Sequence, residues 1–135
     1  MKKFTAVSAI GLSIASLLVL APNASASGDG HCNEGKDACF HYNSGGVGAF
    51  VDIDDCWGYN HANFTFIGPG AGAGLSLKNN AASVTNWTHS NPHYVYYYSD
   101  RQGPVQIIGP WVTANLNGTL KNQNASSIFY ESGNC

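Results

Sequence analysis
Hydrophobic positions along the chain recur at two-residue intervals in short runs, and no long apolar stretch repeats with a 3.6-residue period outside the first twenty residues. Short β-branched and aromatic segments are cut by Gly, Asn and Pro, the pattern of an all-β domain. Strands are expected over Ala38–Tyr42, Ala49–Ile53, Asn63–Ile67, Ser83–Thr88, Tyr94–Tyr98, Val105–Ile108 and Ser127–Glu131. Turns are marked by Ser44-Gly45-Gly46, Asp100-Arg101-Gln102-Gly103 and Asn117-Gly118. The run Gly68-Pro69-Gly70-Ala71-Gly72-Ala73-Gly74 lacks the Gly-Lys-Ser/Thr of a phosphate loop and reads as a flexible surface connection.

The chain also repeats itself. Ile67-Gly68-Pro69 is followed by Leu77-Lys78-Asn79-Asn80-Ala81-Ala82-Ser83, and Ile108-Gly109-Pro110 by Leu120-Lys121-Asn122-Gln123-Asn124-Ala125-Ser126. Each copy follows a tyrosine-bearing strand and a Gly-containing hairpin, Tyr42 to Gly46 and Tyr98 to Gly103. Two related β units forming one domain are expected, the first with an insertion around Asp54–Ala62.

The N-terminus stands apart. Lys2 and Lys3, an apolar stretch from Ala6 to Leu20, Pro22 and Ala24-Ser25-Ala26 form a signal peptide over residues 1–26, too short in its apolar part to span a bilayer. The expected mature domain is 27–135, and its expected place is extracellular. Loss of Lys2 and Lys3 leaves Lys36, Lys78, Arg101 and Lys121 against eight acidic residues. That balance argues against nucleic acid and against anionic lipid as partners, and a monomer is favoured. Cys32, Cys39, Cys56 and Cys135 allow three disulfide connectivities. The short polar loop after Cys32 favours Cys32–Cys39, which leaves Cys56–Cys135.

Catalytic motifs such as H-E-x-x-H and G-x-S-x-G are absent, so no enzymatic activity is expected. Asp52 and Asp54 share a strand face, read as solvent-facing. His31, His41 and His61 near cysteines lack the spacing of a zinc site, and Pro92 keeps His89 and His93 off a common helix face. The tyrosines of 94–98 serve either core packing or a binding face.

Two β units with Tyr/Gly hairpins resemble the Greek keys of the βγ-crystallin fold. Asn79-Asn80-Ala81-Ala82-Ser83-Val84 and Asn122-Gln123-Asn124-Ala125-Ser126-Ser127 are similar to its calcium motif, with Val84 and Gln123 as departures. The resemblance implies two paired calcium sites, Asn80 with Ser126 and Gln123 with Ser83; no cofactor is required otherwise. All four ligands are uncharged, which implies weak binding, and Asn and Ser there also serve as turn caps. Cys32, the polar loop, Cys39 and the strand with Tyr42 and Gly46 resemble a bacterial secreted peptidase-inhibitor family of the metalloproteinase-inhibitor kind. That resemblance implies a two-Greek-key sandwich that blocks an extracellular protease through a loop at Ser99–Pro104, with Asp100, Arg101 and Gln102 at its tip. The loop lacks the local disulfide of inhibitory members, since Tyr94–Ile108 contains no cysteine. The alternative is a calcium-binding extracellular structural or interaction module.

Overall fold
The computed structural model describes residues 29–32, 35–54 and 59–130. The expected signal peptide, Cys56, Cys135 and Glu131 lie outside the described residues. Eight strands follow in order: β1 Asp37–Asn43, β2 Val47–Asp54, β3 Tyr59–Asn60, β4 Ser83–Asn86, β5 His93–Tyr98, β6 Gln102–Ile108, β7 Val112–Asn115 and β8 Ser126–Phe129. One sheet runs β2-β1-β4-β7 and the other β3-β8-β5-β6, with every strand pair antiparallel.

The two sheets have the same plan. A hairpin (β1–β2 or β5–β6) pairs through its first strand with the fourth strand of its own unit (β4 or β8). That strand pairs in turn with the third strand of the other unit, β7 beside β4 and β3 beside β8. The units therefore exchange their third strands. Alternation explains the rest: Ala38, Phe40, Val51, Ile53, Val84, Val95 and Phe129 point into the space between the sheets and are buried. Each large side chain buried there contributes about 1.5–3 kcal/mol.

Four expectations need correction. Asn63–Ile67 is not a strand: Asn63 ends a 3-10 turn over His61–Asn63, and Thr65 and Ile67 make isolated bridges to Ser76 and Phe50. Its alternation is real, because Phe64 and Phe66 are buried, but its backbone pairs mostly within its own loop, Phe66 N–H to Leu75 O and Gly74 N–H to Phe66 O. Second, β7 was not expected, because it is an edge strand with Val112, Thr113 and Asn115 exposed. Third, Asp52 does not face solvent; it lies on the outer side of its sheet but is fully buried, and its carboxylate accepts from Gly30 N–H at 2.9 Å. The disulfide Cys32–Cys39, Cα–Cα 5.7 Å, holds that N-terminal segment across the sheet.

Fourth, the insertion sits elsewhere. His61 N–H bonds Ala125 O as Leu116 N–H bonds Ala82 O, so His61 and Leu116 are equivalent. Sixteen positions separate His61 from Leu77, whereas four separate Leu116 from Leu120, so the extra residues lie in 62–76. Ile108-Gly109-Pro110 follows β6 while Ile67-Gly68-Pro69 lies within the insertion, and the two are not structural counterparts. The Gly-Ala run lies at the surface, yet backbone bonds Ala49 N–H to Ala71 O and Phe50 N–H to Ile67 O fasten the insertion to β2.

Candidate functional site
Each hairpin tip is fastened by one serine and one asparagine. Ser83 Oγ donates to Asn43 O at 2.6 Å and accepts from Gly46 N–H at 2.9 Å. Ser126 Oγ donates to Tyr98 O at 2.7 Å and accepts from Arg101 N–H at 2.9 Å. The exchanged strands supply the second fastener: Asn115 Oδ1 accepts from Gly45 N–H at 2.7 Å, and Asn60 Oδ1 from Asp100 N–H at 2.8 Å. Asn60 Nδ2 also donates to Asp100 Oδ1 at 2.8 Å.

The expected loop Ser99–Pro104 is thus a tight turn, Ser99–Arg101, running into β6 at Gln102. Asp100 and Arg101 both adopt left-handed backbone conformations, φ 57° and 62°, and both are exposed. Two successive non-glycine residues there are strained by about 1–2 kcal/mol each, and the bonds to Asn60 and Ser126 offset that cost. Gln102 is exposed, and its amide Nε2 donates to Asp100 O at 3.4 Å.

Behind the hairpins lie two related cavities. The first, about 380 Å³, is lined by Tyr42, Asn43, Ser44, Asn80 and Ala82 of one unit and Lys121 and Asn122 of the other. The second, about 500 Å³, is lined by Tyr97, Tyr98, Ser99, Gln102, Gln123 and Ala125 with Lys78 and Asn79. Asn80 and Gln123 therefore line separate cavities. Asn80 Nδ2 donates to Ser76 O and Lys78 O, in the manner of a turn cap, and Gln123 Oε1 accepts from Tyr97 OH at 3.5 Å. Ser83 and Ser126 spend their hydroxyls on the hairpins. At each cavity a lysine also crosses between the units: Lys121 Nζ donates to Ser44 Oγ at 2.9 Å and Lys78 Nζ to Ser99 Oγ at 3.4 Å. The Leu-Lys-Asn repeat carried that signal; Asn60 and Asn115 had none, because their strands were not expected.

A third group is fully buried. His61 Nε2 lies 2.9 Å from Ser127 Oγ, and its Nδ1 lies 2.8 Å from Asn124 Nδ2. Asn124 Oδ1 accepts from Ala81 N–H, which orients the amide so that its NH₂ donates to His61 Nδ1. The His61 proton then sits on Nε2 and is donated to Ser127. This is the reverse of the arrangement in which a histidine takes a proton from a serine nucleophile, and neither group meets solvent. Burial, with a smaller contribution from the Lys78 charge, lowers the His61 pKa to about 3. His93, between Phe40 and Phe129 with ring centroids 5.5 and 4.2 Å away, is also lowered to about 3 by burial, then by His61. Among the described residues no three of His, Cys, Asp and Glu are placed to hold a metal ion, and no helix is long and apolar enough to cross a membrane.

No family model and no curated protein matches the chain in sequence. Among solved structures, the crystal structure of the N-terminal domain of protein S is similar, with a TM-score of 0.55 and 20% identity, over 71% of this chain and 97% of that one. At that identity the likeness concerns the fold. Together with the exchanged third strands and paired hairpins, it makes the chain an all-β sandwich of two βγ-crystallin-like Greek keys.

Proposed function
We propose that the chain is a secreted, non-enzymatic βγ-crystallin-type binding module whose β5–β6 hairpin contacts an extracellular protein. The leader-like N-terminus and the Cys32–Cys39 disulfide support export. The observation that carries the reading is the fixed hairpin: Asp100 and Arg101 project in left-handed conformations held by Asn60 and Ser126. A loop ordered before contact loses little entropy on docking. Those hydrogen bonds answer the missing disulfide, which supports an extracellular protease, a metalloprotease first, as the partner.

The test titrates the mature protein against thermolysin-like, subtilisin-like and trypsin-like proteases. Tight inhibition that is lost in Arg101→Ala supports the hairpin. Full activity of all three at micromolar protein, or cleavage within 99–104, removes the protease and leaves a structural or interaction module. A calcium-binding module is the second reading, favoured by the hydroxyl and amide groups that line two cavities and opposed by the lysine in each. A calcium titration on the same sample tests it.

A further inference from the structure
Among the described residues, no aspartate or glutamate lines either cavity. Their described polar lining consists of neutral hydroxyl and amide groups together with one lysine in each. Both lysines hold the same place in their Leu-Lys-Asn segments, and both reach from one unit to the serine just after the first hairpin strand of the other. The arrangement occurs twice, in positions related by the internal symmetry, so it follows from the fold.

We propose that each cavity is a cation site filled from within the chain, by the ammonium of Lys121 in the first and of Lys78 in the second. A tethered ammonium has a high effective concentration in its own cavity. It also repels a dissolved divalent ion, which would find no carboxylate to balance its charge. The chain therefore holds its two units together without calcium. The inference stands apart from the hairpin reading, since it concerns stability and not protease contact.

The test uses thermal melting of the mature wild type, Lys78→Met, Lys121→Met and the double variant, in chelator and in 10 mM calcium. Methionine keeps the apolar stem and removes the charge. In chelator each single variant melts lower than wild type by roughly 2–5 °C. Calcium leaves wild type unchanged and raises the double variant by about 5 °C, as expected for millimolar sites emptied of their ammonium. If the double variant does not fold, the single variants give the same comparison at one cavity each. Lys78→Arg and Lys121→Arg, which keep the charge, are expected to stay insensitive to calcium. Three results overturn the proposal: a calcium shift in wild type as large as in the variants, variants that melt as wild type does in chelator, or variants that calcium leaves unmoved.

Discussion
His93 offers the sharpest test of the core. Among the described residues neither ring nitrogen has a hydrogen-bond partner, the ring is fully buried between Phe40 and Phe129, and its pKa is lowered to about 3. In the unfolded chain the same imidazole titrates near 6.5. The unfolded state therefore binds the extra proton between those values, so stability is complete above about pH 6.5 and falls as the pH drops toward 3. Each pH unit in the middle of that window costs about 1.4 kcal/mol per histidine, or roughly 2–3 kcal/mol from pH 6.5 to 4.5. His61 loses a similar amount over the same window, with its pKa also about 3. Together they remove about 5 kcal/mol, comparable to the whole stability of a small domain. His93→Leu removes one titrating group and two unpaired nitrogens at little change in volume. Urea unfolding of wild type and variant at pH 7.0, 6.0, 5.0 and 4.5 isolates the histidine, because the carboxylates are common to both. The variant is expected to lose roughly 2–3 kcal/mol less than wild type across the series. Parallel pH profiles would show that His93 is not held neutral by its surroundings.

Three further outcomes follow from the hairpins and the disulfide. Ser126→Ala leaves Tyr98 O and Arg101 N–H without their shared partner and lowers urea stability by about 1–3 kcal/mol, with Ser83→Ala matching it at the other hairpin. Gly103→Ala puts a Cβ 2.5 Å from Tyr98 Cδ2 at φ +79°; the exposed ring can swing aside, so the left-handed backbone sets a loss of about 1–2 kcal/mol, read by the same assay. Paired Cys32→Ser and Cys39→Ser substitution opens a link seven residues apart in sequence and reduces stability by about 2.5 kcal/mol in the chain-entropy model, measured against wild type without reductant.

The fold class was legible because its signal is local. Alternation in Ala38–Tyr42 and Ala49–Ile53 reports burial directly, and Phe40, Val51 and Ile53 face inward as the pattern requires. Edge strands carry a weaker signal: three of the four β7 side chains are exposed, so its pairing with β4 is what defines it. The Ile-Gly-Pro match misled because three residues of turn-forming sequence mark no place in the topology, one copy lying in the insertion and the other at the end of β6, whereas the Leu-Lys-Asn match marked equivalent backbone. Asp52 was misread for a tertiary reason. Alternation gives the face a side chain takes, but not the segment that returns to cover that face. The candidate site was half visible: Ser83, Ser126 and Asp100 were found by motif and turn chemistry, while their partners Asn60, Asn43 and Tyr98 depend on which strands lie side by side.

The exchange of third strands sets an order in time. During synthesis the sheet begun by β1, β2 and β4 has no outer strand until Val112–Asn115 has emerged, and β3 has nothing to pair with until Ser126–Phe129 follows it. Non-local pairings of this kind delay folding, because long loops must close before any contact rewards them. Neither half can reach its native state first and wait for the other. A chain built this way leaves both sheets incomplete until Ser126–Phe129 has been made.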